Sequence, residues 1–169
     1  MLNSTTNVSR ETTEPFYAGI GARSTPPDIL KVMEDLAVKL SATHILRSGG
    51  ADGADTSFAI GAGGRKVIFR PEDATPESIE LASKHHRMWK KCEPYVRRLH
   101  GRNSMIILGA DLKSPVKFVI CWTETGKDIG GTGVGIRIAE ANGIPVVNLH
   151  NQHWLDRIRN FVYGSDNLF

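Results

Sequence analysis

Three glycine-bearing turns are the features of this sequence whose residue types suggest chemistry. They occupy 19–24, 48–53 and 130–133, and each follows an apolar run typical of a strand and precedes a helical pattern. Glycine lets the backbone approach an anion closely, and the unpaired amides and dipole of a following helix favour negative charge there. The turns therefore predict a site for a phosphate-bearing ligand, on which main-chain amides from all three would converge.

The candidate phosphate- and nucleotide-binding residues come from these turns, from an arginine–asparagine pair and from a tryptophan at a strand end. Arg23 offers a guanidinium that can pair bidentately with phosphate, whereas Trp122 would either stack on a base or pack in the core. Arg102 and Asn103 would either reach over the ligand or cap the next apolar segment. The full set is Gly19, Gly21, Arg23, Ser48, Gly49, Gly50, Ala51, Arg102, Asn103, Trp122, Gly130, Gly131, Thr132 and Gly133.

Two aspartates belong to the second turn or follow it, and a glutamate lies in the polar stretch before the third. Asp52 and Asp55 would repel a phosphate, so each is expected to cap the next helix or to accept from ribose hydroxyls. Glu124 is the best-placed free carboxylate. These three residues are the candidates for a catalytic role.

The sequence predicts no metal, no cofactor and no disulfide. Adjacent residues on a helix point in different directions, so His85 and His86 would not bind one ion together. Cys92 and Cys121 lack metal-ligand spacing, and a reducing cytosol would keep them as thiols. An NAD site is also rejected, because Ser24 replaces the third glycine of the dinucleotide fingerprint and no acidic residue follows about 20 positions later.

The elements that must position these residues alternate along the chain. Apolar runs predict strands at 16–20, 44–47, 67–69, 116–122 and 144–149. Helical patterns lie between and after them, at 25–40, 54–62, 76–89, 94–99, 134–141 and 154–162, with Thr25 as the first N-cap and Pro26 at the first helical position. The run 105–108 fits either a helix or a strand. This order predicts an α/β, Rossmann-like, mainly parallel sheet with helices on both faces and ligands at the carboxyl ends of its strands.

Length and composition fit a single domain. The chain has 169 residues, of which 40% are hydrophobic and 23% charged, near the average for globular proteins. We expect a flexible polar segment over 1–14 and one domain over 15–169. No apolar stretch is long enough to span a bilayer and the N-terminal segment has no signal-peptide core, so we expect a cytoplasmic protein without a membrane partner.

The net charge of +3 is unevenly distributed along the sequence. We predict a basic helical insertion around 72–110, which would either attract phosphates or form a solvated helix face. Its cations between 84 and 102 stand against Glu93 alone; they are Lys84, Arg87, Lys90, Lys91, Arg97, Arg98 and Arg102.

The motifs at 48–55, 102–103 and 130–132 together resemble the SLOG superfamily of Rossmann-like nucleotide-binding proteins. Within it, the Ser-Gly-Gly strand end and the Arg-Asn pair resemble the DNA-processing protein A branch. The motifs at 18–23, 86–89 and 121–123 are similar to small stand-alone members encoded by bacteriophages. The resemblance covers about residues 16–150, and it implies binding of nucleotides or nucleotide-derived signals, in the host cytoplasm if the protein is phage-encoded.

A second branch implied by this resemblance, the phosphoribohydrolases, cleaves N-glycosidic bonds with a glutamate in a glycine-rich motif. Aligning that motif on 130–136 places Arg137 where the glutamate belongs and Ile129 where a proline belongs. Glycoside cleavage needs a carboxylate near the anomeric carbon, so Glu124, Asp52 or Asp55 would have to replace it.

Three functions remain open from the sequence. The main hypothesis is a protein that recognises or sequesters a phosphorylated nucleoside or a nucleotide-derived signal. The first alternative is an N-glycosidase acting on nucleoside monophosphates, which leaves open whether the protein is an enzyme. The second alternative is a single-stranded DNA-binding protein. It rests on the resemblance to the DNA-processing protein A branch and on the basic cluster over 84–102. A homodimer or higher homo-oligomer also stays open.

Overall fold

The protein is described here by a computed structural model that covers residues 13–169, so most of the predicted polar segment 1–14 lies outside the described residues. Five strands form one sheet, all parallel, in the order β3-β2-β1-β4-β5. This confirms the predicted α/β, Rossmann-like fold. The strands are β1 (Phe16–Gly19), β2 (Ile45–Ser48), β3 (Lys66–Ile68), β4 (Val119–Cys121) and β5 (Val146–Asn148).

Helices cover both faces of the sheet, as the alternation of elements predicted. Successive residues of β1 point to opposite faces, so Tyr17 lies in the core cluster with α1, α2 and α6, whereas Ala18 lies in the cluster with α4 and α5. The helices are α1 (Pro27–Leu40), α2 (Ala54–Ala62), α3 (Pro76–Ser83), α4 (Pro94–Leu108), α5 (Gly130–Ala141) and α6 (Gln152–Tyr163). Short 3-10 turns lie at Pro71–Asp73 and Trp89–Lys91.

The start of α1 differs from the prediction. The helix begins at Pro27, with Pro26 rather than Thr25 at the N-cap position and no side-chain capping bond. The Thr25 hydroxyl instead donates to the Ala22 carbonyl at 2.6 Å and closes the turn that follows β1. The predicted N-cap was therefore wrong, because the hydroxyl stabilises the preceding turn.

The central apolar runs are also assigned differently. Residues 105–108, which fit either a helix or a strand, form the buried C-terminal end of α4, which the Gly109 backbone terminates with a φ of 85°. The predicted helix over 76–89 ends at Ser83, and α5 begins at Gly130 rather than at 134. The last difference matters for function, because it places the third glycine turn inside the first turn of a helix.

The strand order creates a crevice beside β1. The chain proceeds from β1 to β2 and β3 on one side of the sheet and then returns to β4 and β5 on the other. Connections that leave neighbouring strands in opposite directions open a crevice at the carboxyl ends, where ligands of such sheets bind. Here that crevice lies between the loops after β1 and β4. Among residues 13–169, no helix is long and apolar enough to cross a membrane.

Candidate functional site

A cleft of about 490 Å³ opens at this crevice. Its volume lies within the range of small-molecule sites. Loops after β1, β2 and β4 line it on one side and α4 lines it on the other. The structure brings ten of the predicted site residues together there: Gly21, Arg23, Ala51, Asp55, Arg102, Asn103, Glu124, Gly130, Gly131 and Thr132.

The third glycine turn forms the N-terminus of α5 at the cleft. Ile129 precedes the helix without a side-chain cap, and the first amide to bond back along the chain is that of Gly133, which donates to the Ile129 carbonyl at 3.0 Å. The amides at 130–132 therefore have no partner within the helix. A Cβ placed on Gly130 or Gly131 would meet no described atom within 4 Å. This turn consequently offers exposed amides and open space to an anion.

The amides of the first two turns face a carboxylate of the protein itself. Ala51 N–H donates to the Asp55 carboxylate at 3.2 Å, and the amides of Gly49 and Gly21 also stabilise the ionised form of Asp55 and lower its pKa. Asp55 is only 5% exposed. The prediction that amides from all three turns converge on a ligand anion was therefore wrong, because Asp55 occupies the acceptor position for two of them.

Burial controls the protonation of Asp55. Removal from water raises the pKa of Asp55 to about 6, against the backbone hydrogen bond from Ala51 and the positive charge of Arg102, which lower it. A carboxyl with this pKa changes its charge just below neutral pH. It is thus the one predicted catalytic residue with both a place in the cleft and a shifted pKa.

Arg102 joins two of the loops that line the cleft. Its guanidinium Nη1 donates to the carbonyls of Gly49, at 2.5 Å, and Phe69, at 3.2 Å, and the side chain is buried. Its Nε donates to Asn103 Oδ1 at 3.1 Å, while Asn103 Nδ2 donates to the Gly131 carbonyl at 3.1 Å. The pair therefore connects the loops after β2 and β3 to the start of α5. Both are positioning residues within α4 and do not cap it.

Seven predicted site residues lie outside the cleft lining. The Ser48 hydroxyl is buried and donates to the Gly19 carbonyl at 2.6 Å, and Trp122 packs in the core, where it cannot stack on a base. A Cβ on Gly19 would lie 2.5 Å from the Phe58 ring, so this glycine permits strand–helix packing. The seven are Gly19, Ser48, Gly49, Gly50, Asp52, Trp122 and Gly133.

The side chain of Arg137 forms hydrogen bonds within the protein. It stands at the position where the phosphoribohydrolase motif has glutamate. Its Nη1 donates to Asp128 Oδ2 at 3.0 Å and its Nε to the His85 carbonyl at 2.6 Å. The carboxylates that line the cleft are Asp55, committed to backbone amides, and Glu124, exposed at the rim. No described carboxylate replaces the motif glutamate at that position.

One wall of the cleft is formed by α4 and was not predicted from the sequence. Val96, Leu99 and His100 line it together with Asn103, and their spacing of three, four and seven places them on one helix face. That periodicity was readable in the sequence. Burial, together with the nearby charges of His86, Arg137 and Arg102, lowers the pKa of His100 to about 4. Its imidazole is therefore neutral at physiological pH. The other missed lining residues are Ile20, Ala22, Thr123 and Ile129.

Comparison with known proteins supports the fold. No protein-family model matches the chain, and a search of curated proteins found no match. Among solved structures, the chain is similar to the DNA processing protein A from Helicobacter pylori, described for its single-stranded DNA binding mode. The two share 15% sequence identity with a TM-score of 0.57, over 89% of this chain and 80% of that one. At this identity the likeness shows the fold alone.

Proposed function

We propose that the cleft binds a nucleotide and holds its phosphate at the N-terminus of α5. The observation that carries this proposal is the turn at 130–132, whose amides have no partner within the helix and whose residues line the cleft. The helix dipole favours negative charge at this position, and no side chain caps the helix. Arg23, exposed on the loop after β1, lines the same cleft and supplies the positive charge that a phosphate requires.

The rest of the cleft suits the body of a nucleoside. Val96, Leu99 and Ile129 provide apolar surface for a base, and Thr132 and Glu124 provide polar groups for a sugar. Asn103 stabilises the proposed phosphate-binding turn, because its side-chain amide donates a hydrogen bond to the Gly131 carbonyl. Asp55 does not take part in phosphate binding, since its charge would repel the anion.

Calorimetric titration with the common nucleosides and their 5′-monophosphates tests the proposal. We expect monophosphates to bind about 10- to 100-fold more tightly than the matching nucleosides, because charge-assisted hydrogen bonds contribute about 1.5–3 kcal/mol. Arg23→Gln should remove about tenfold of that preference. Lys117→Gln is the control. It removes an exposed charge that precedes β4, at the end of the strand opposite the cleft, and the variant should bind nucleotides like the wild type. Equal affinity for nucleosides and monophosphates would contradict the proposal.

Single-stranded DNA is the second candidate source of the phosphate. Two observations favour it: the solved neighbour is described as binding single-stranded DNA, and several cations beside the cleft-lining helix α4 are exposed. Arg97 is not among them, because it donates to the Trp89 carbonyl and is half-buried. The exposed cations are Lys84, Arg87, Lys90, Lys91 and Arg98, of which Arg87 is paired with Asp128.

The salt dependence of oligonucleotide binding separates the two sources. For a DNA-binding surface, affinity should fall steeply with salt. The logarithm of the binding constant should decrease by about 0.7 per tenfold rise in salt for each phosphate contacted on a single strand. Arg98→Gln should then reduce the magnitude of that slope by about 0.7, the contribution of one phosphate contact. An oligonucleotide that binds no more tightly than a mononucleotide, with the slope of a single phosphate, would reject the DNA candidate and leave the nucleotide site standing.

A further inference from the structure

Two histidines and a cysteine cluster beside the cleft, where the segment between α3 and α4 packs against α4. His86 follows α3, Cys92 follows the 3-10 turn Trp89–Lys91, and His100 lies in α4. One nitrogen of each imidazole and the thiol sulfur all lie within 4.8 Å of one another. Cys92 Sγ is 3.6 Å from His86 Nε2, and the two imidazole rings are 4.5 Å apart between centroids. Imidazole nitrogen and thiolate sulfur are the donors that Zn²⁺ prefers.

His100 supplies a second, independent sign of a ligand. Its side chain is buried, with 6% exposure, yet its Nδ1 has no hydrogen-bond partner among the described residues. A buried polar nitrogen without a partner costs free energy, and native structures satisfy nearly all such atoms with protein, water or an ion.

We propose that His86, Cys92 and His100 bind one transition-metal ion of the zinc class. Three protein ligands leave one position of a tetrahedral site for water. The sequence-based expectation of no metal considered the adjacent pair His85 and His86, which cannot share an ion. It also considered the two cysteines, which lack metal-ligand spacing relative to each other. The proposed site uses one histidine of that pair and two ligands from further along the chain. This inference does not depend on the proposed nucleotide site.

The charges around the cluster permit a cation. Arg137 opposes a cation here, since its charge lowers the pKa of both His86 and His100, and Arg102 also lowers that of His100. The Arg137 guanidinium, however, lies 3.0 Å from the Asp128 carboxylate, which offsets part of the positive charge of Arg137 and of Arg87, 2.9 Å away on the same carboxylate. The Cys92 thiolate would contribute the negative charge that the ion itself requires, because metal binding releases the thiol proton.

Metal binding would have one local structural consequence. In the structure the Met88 amide donates to His86 Nδ1 at 3.0 Å, so that nitrogen carries no proton. A metal on Nδ1 would take the lone pair, and a metal on Nε2 would require a proton on Nδ1. Binding of a metal through either nitrogen breaks the Met88 hydrogen bond. The NMR signal of the Met88 amide should therefore change when the metal site is filled.

Titration of chelator-treated protein with Co²⁺ tests the proposal directly. We expect one ion per chain, with a sulfur-to-cobalt charge-transfer band, visible bands of tetrahedral intensity and displacement by Zn²⁺. Binding should also shift the Met88 amide resonance. Wild-type protein that gives no charge-transfer band would overturn the proposal.

Variants identify the ligands. Cys92→Ser should abolish the charge-transfer band and weaken Zn²⁺ binding more than about 100-fold, since even outer-shell partners change affinity by 10- to 100-fold. His86→Gln is the second test, because this partly exposed side chain can change without loss of the core. His85→Gln is the matched control and should bind Co²⁺ like the wild type. Circular dichroism in metal-free buffer verifies that each variant is folded. A band of wild-type strength in Cys92→Ser would refute the site.

Discussion

Replacement of Arg102 by methionine should lower the free energy of unfolding by about 3–5 kcal/mol, the usual cost of removing one partner from a buried charged network. The variant leaves the Gly49 and Phe69 carbonyls without their donor and the buried Asp55 without its nearest positive charge. Urea denaturation followed by circular dichroism measures the change. Arg98→Met, on the exposed face of the same helix, is the control and should change stability by no more than about 0.5 kcal/mol.

The same network predicts coupling between Arg102 and Asp55. When Asp55 is already asparagine, removal of Arg102 no longer leaves a buried charge without compensation. The loss of stability in the double variant should therefore be smaller than the sum of the two single losses. An effect of Arg102→Met below about 1 kcal/mol, or strictly additive losses, would show that the guanidinium does not hold these loops together.

The second large effect concerns pH. Below about pH 3 the Asp55 carboxyl is protonated in both the folded and the unfolded state, so it contributes no pH-dependent difference. Because burial raises its folded pKa from 3.8 to about 6, the folded state retains the proton over that interval while the unfolded state has lost it. Stability then falls as the pH rises through this window. Relative to Asp55→Asn, the wild type should lose about 2–3 kcal/mol between about pH 4 and pH 7.

Denaturant unfolding of the wild type and of Asp55→Asn across this pH range gives the difference directly. Using the difference removes the contribution of other carboxylates, such as Asp128, whose pKa is lowered by its bond to Arg137 and whose effect has the opposite sign. A difference that is constant across this range, or one that favours the wild type as the pH rises, would contradict a raised pKa for Asp55.

The architecture was predictable from the sequence because strand and helix periodicities differ and alternate regularly. Each buried strand of a parallel sheet reads as an apolar run, and the strand order then places the glycine turns at one edge. The run 105–108 was ambiguous for the same reason. A helix end buried on all sides is as continuously apolar as a strand, and only its length and its continuity with Pro94–Leu108 distinguish it.

The site was only partly predictable, because spacing along the chain does not specify where a side chain points. Asp55 was considered as a helix cap, yet its carboxylate turns back to the amide of Ala51. The glycine turns were correctly located, but three-dimensional contacts decide which amides remain available. Likewise His86, Cys92 and His100 come together only because the segment between α3 and α4 folds back against α4.

The proposed anion site is the N-terminus of α5 and no other part of the glycine turns. Amide chemical shifts recorded while wild-type protein is titrated with each common nucleoside 5′-monophosphate locate the bound anion. We expect the largest shifts at Gly130, Gly131 and Thr132, with the amides of Gly49 and Ala51 nearly unmoved because Asp55 occupies them. Shifts centred on Gly49 and Ala51, or none at 130–132 with any monophosphate, would show that the anion does not bind at the start of α5.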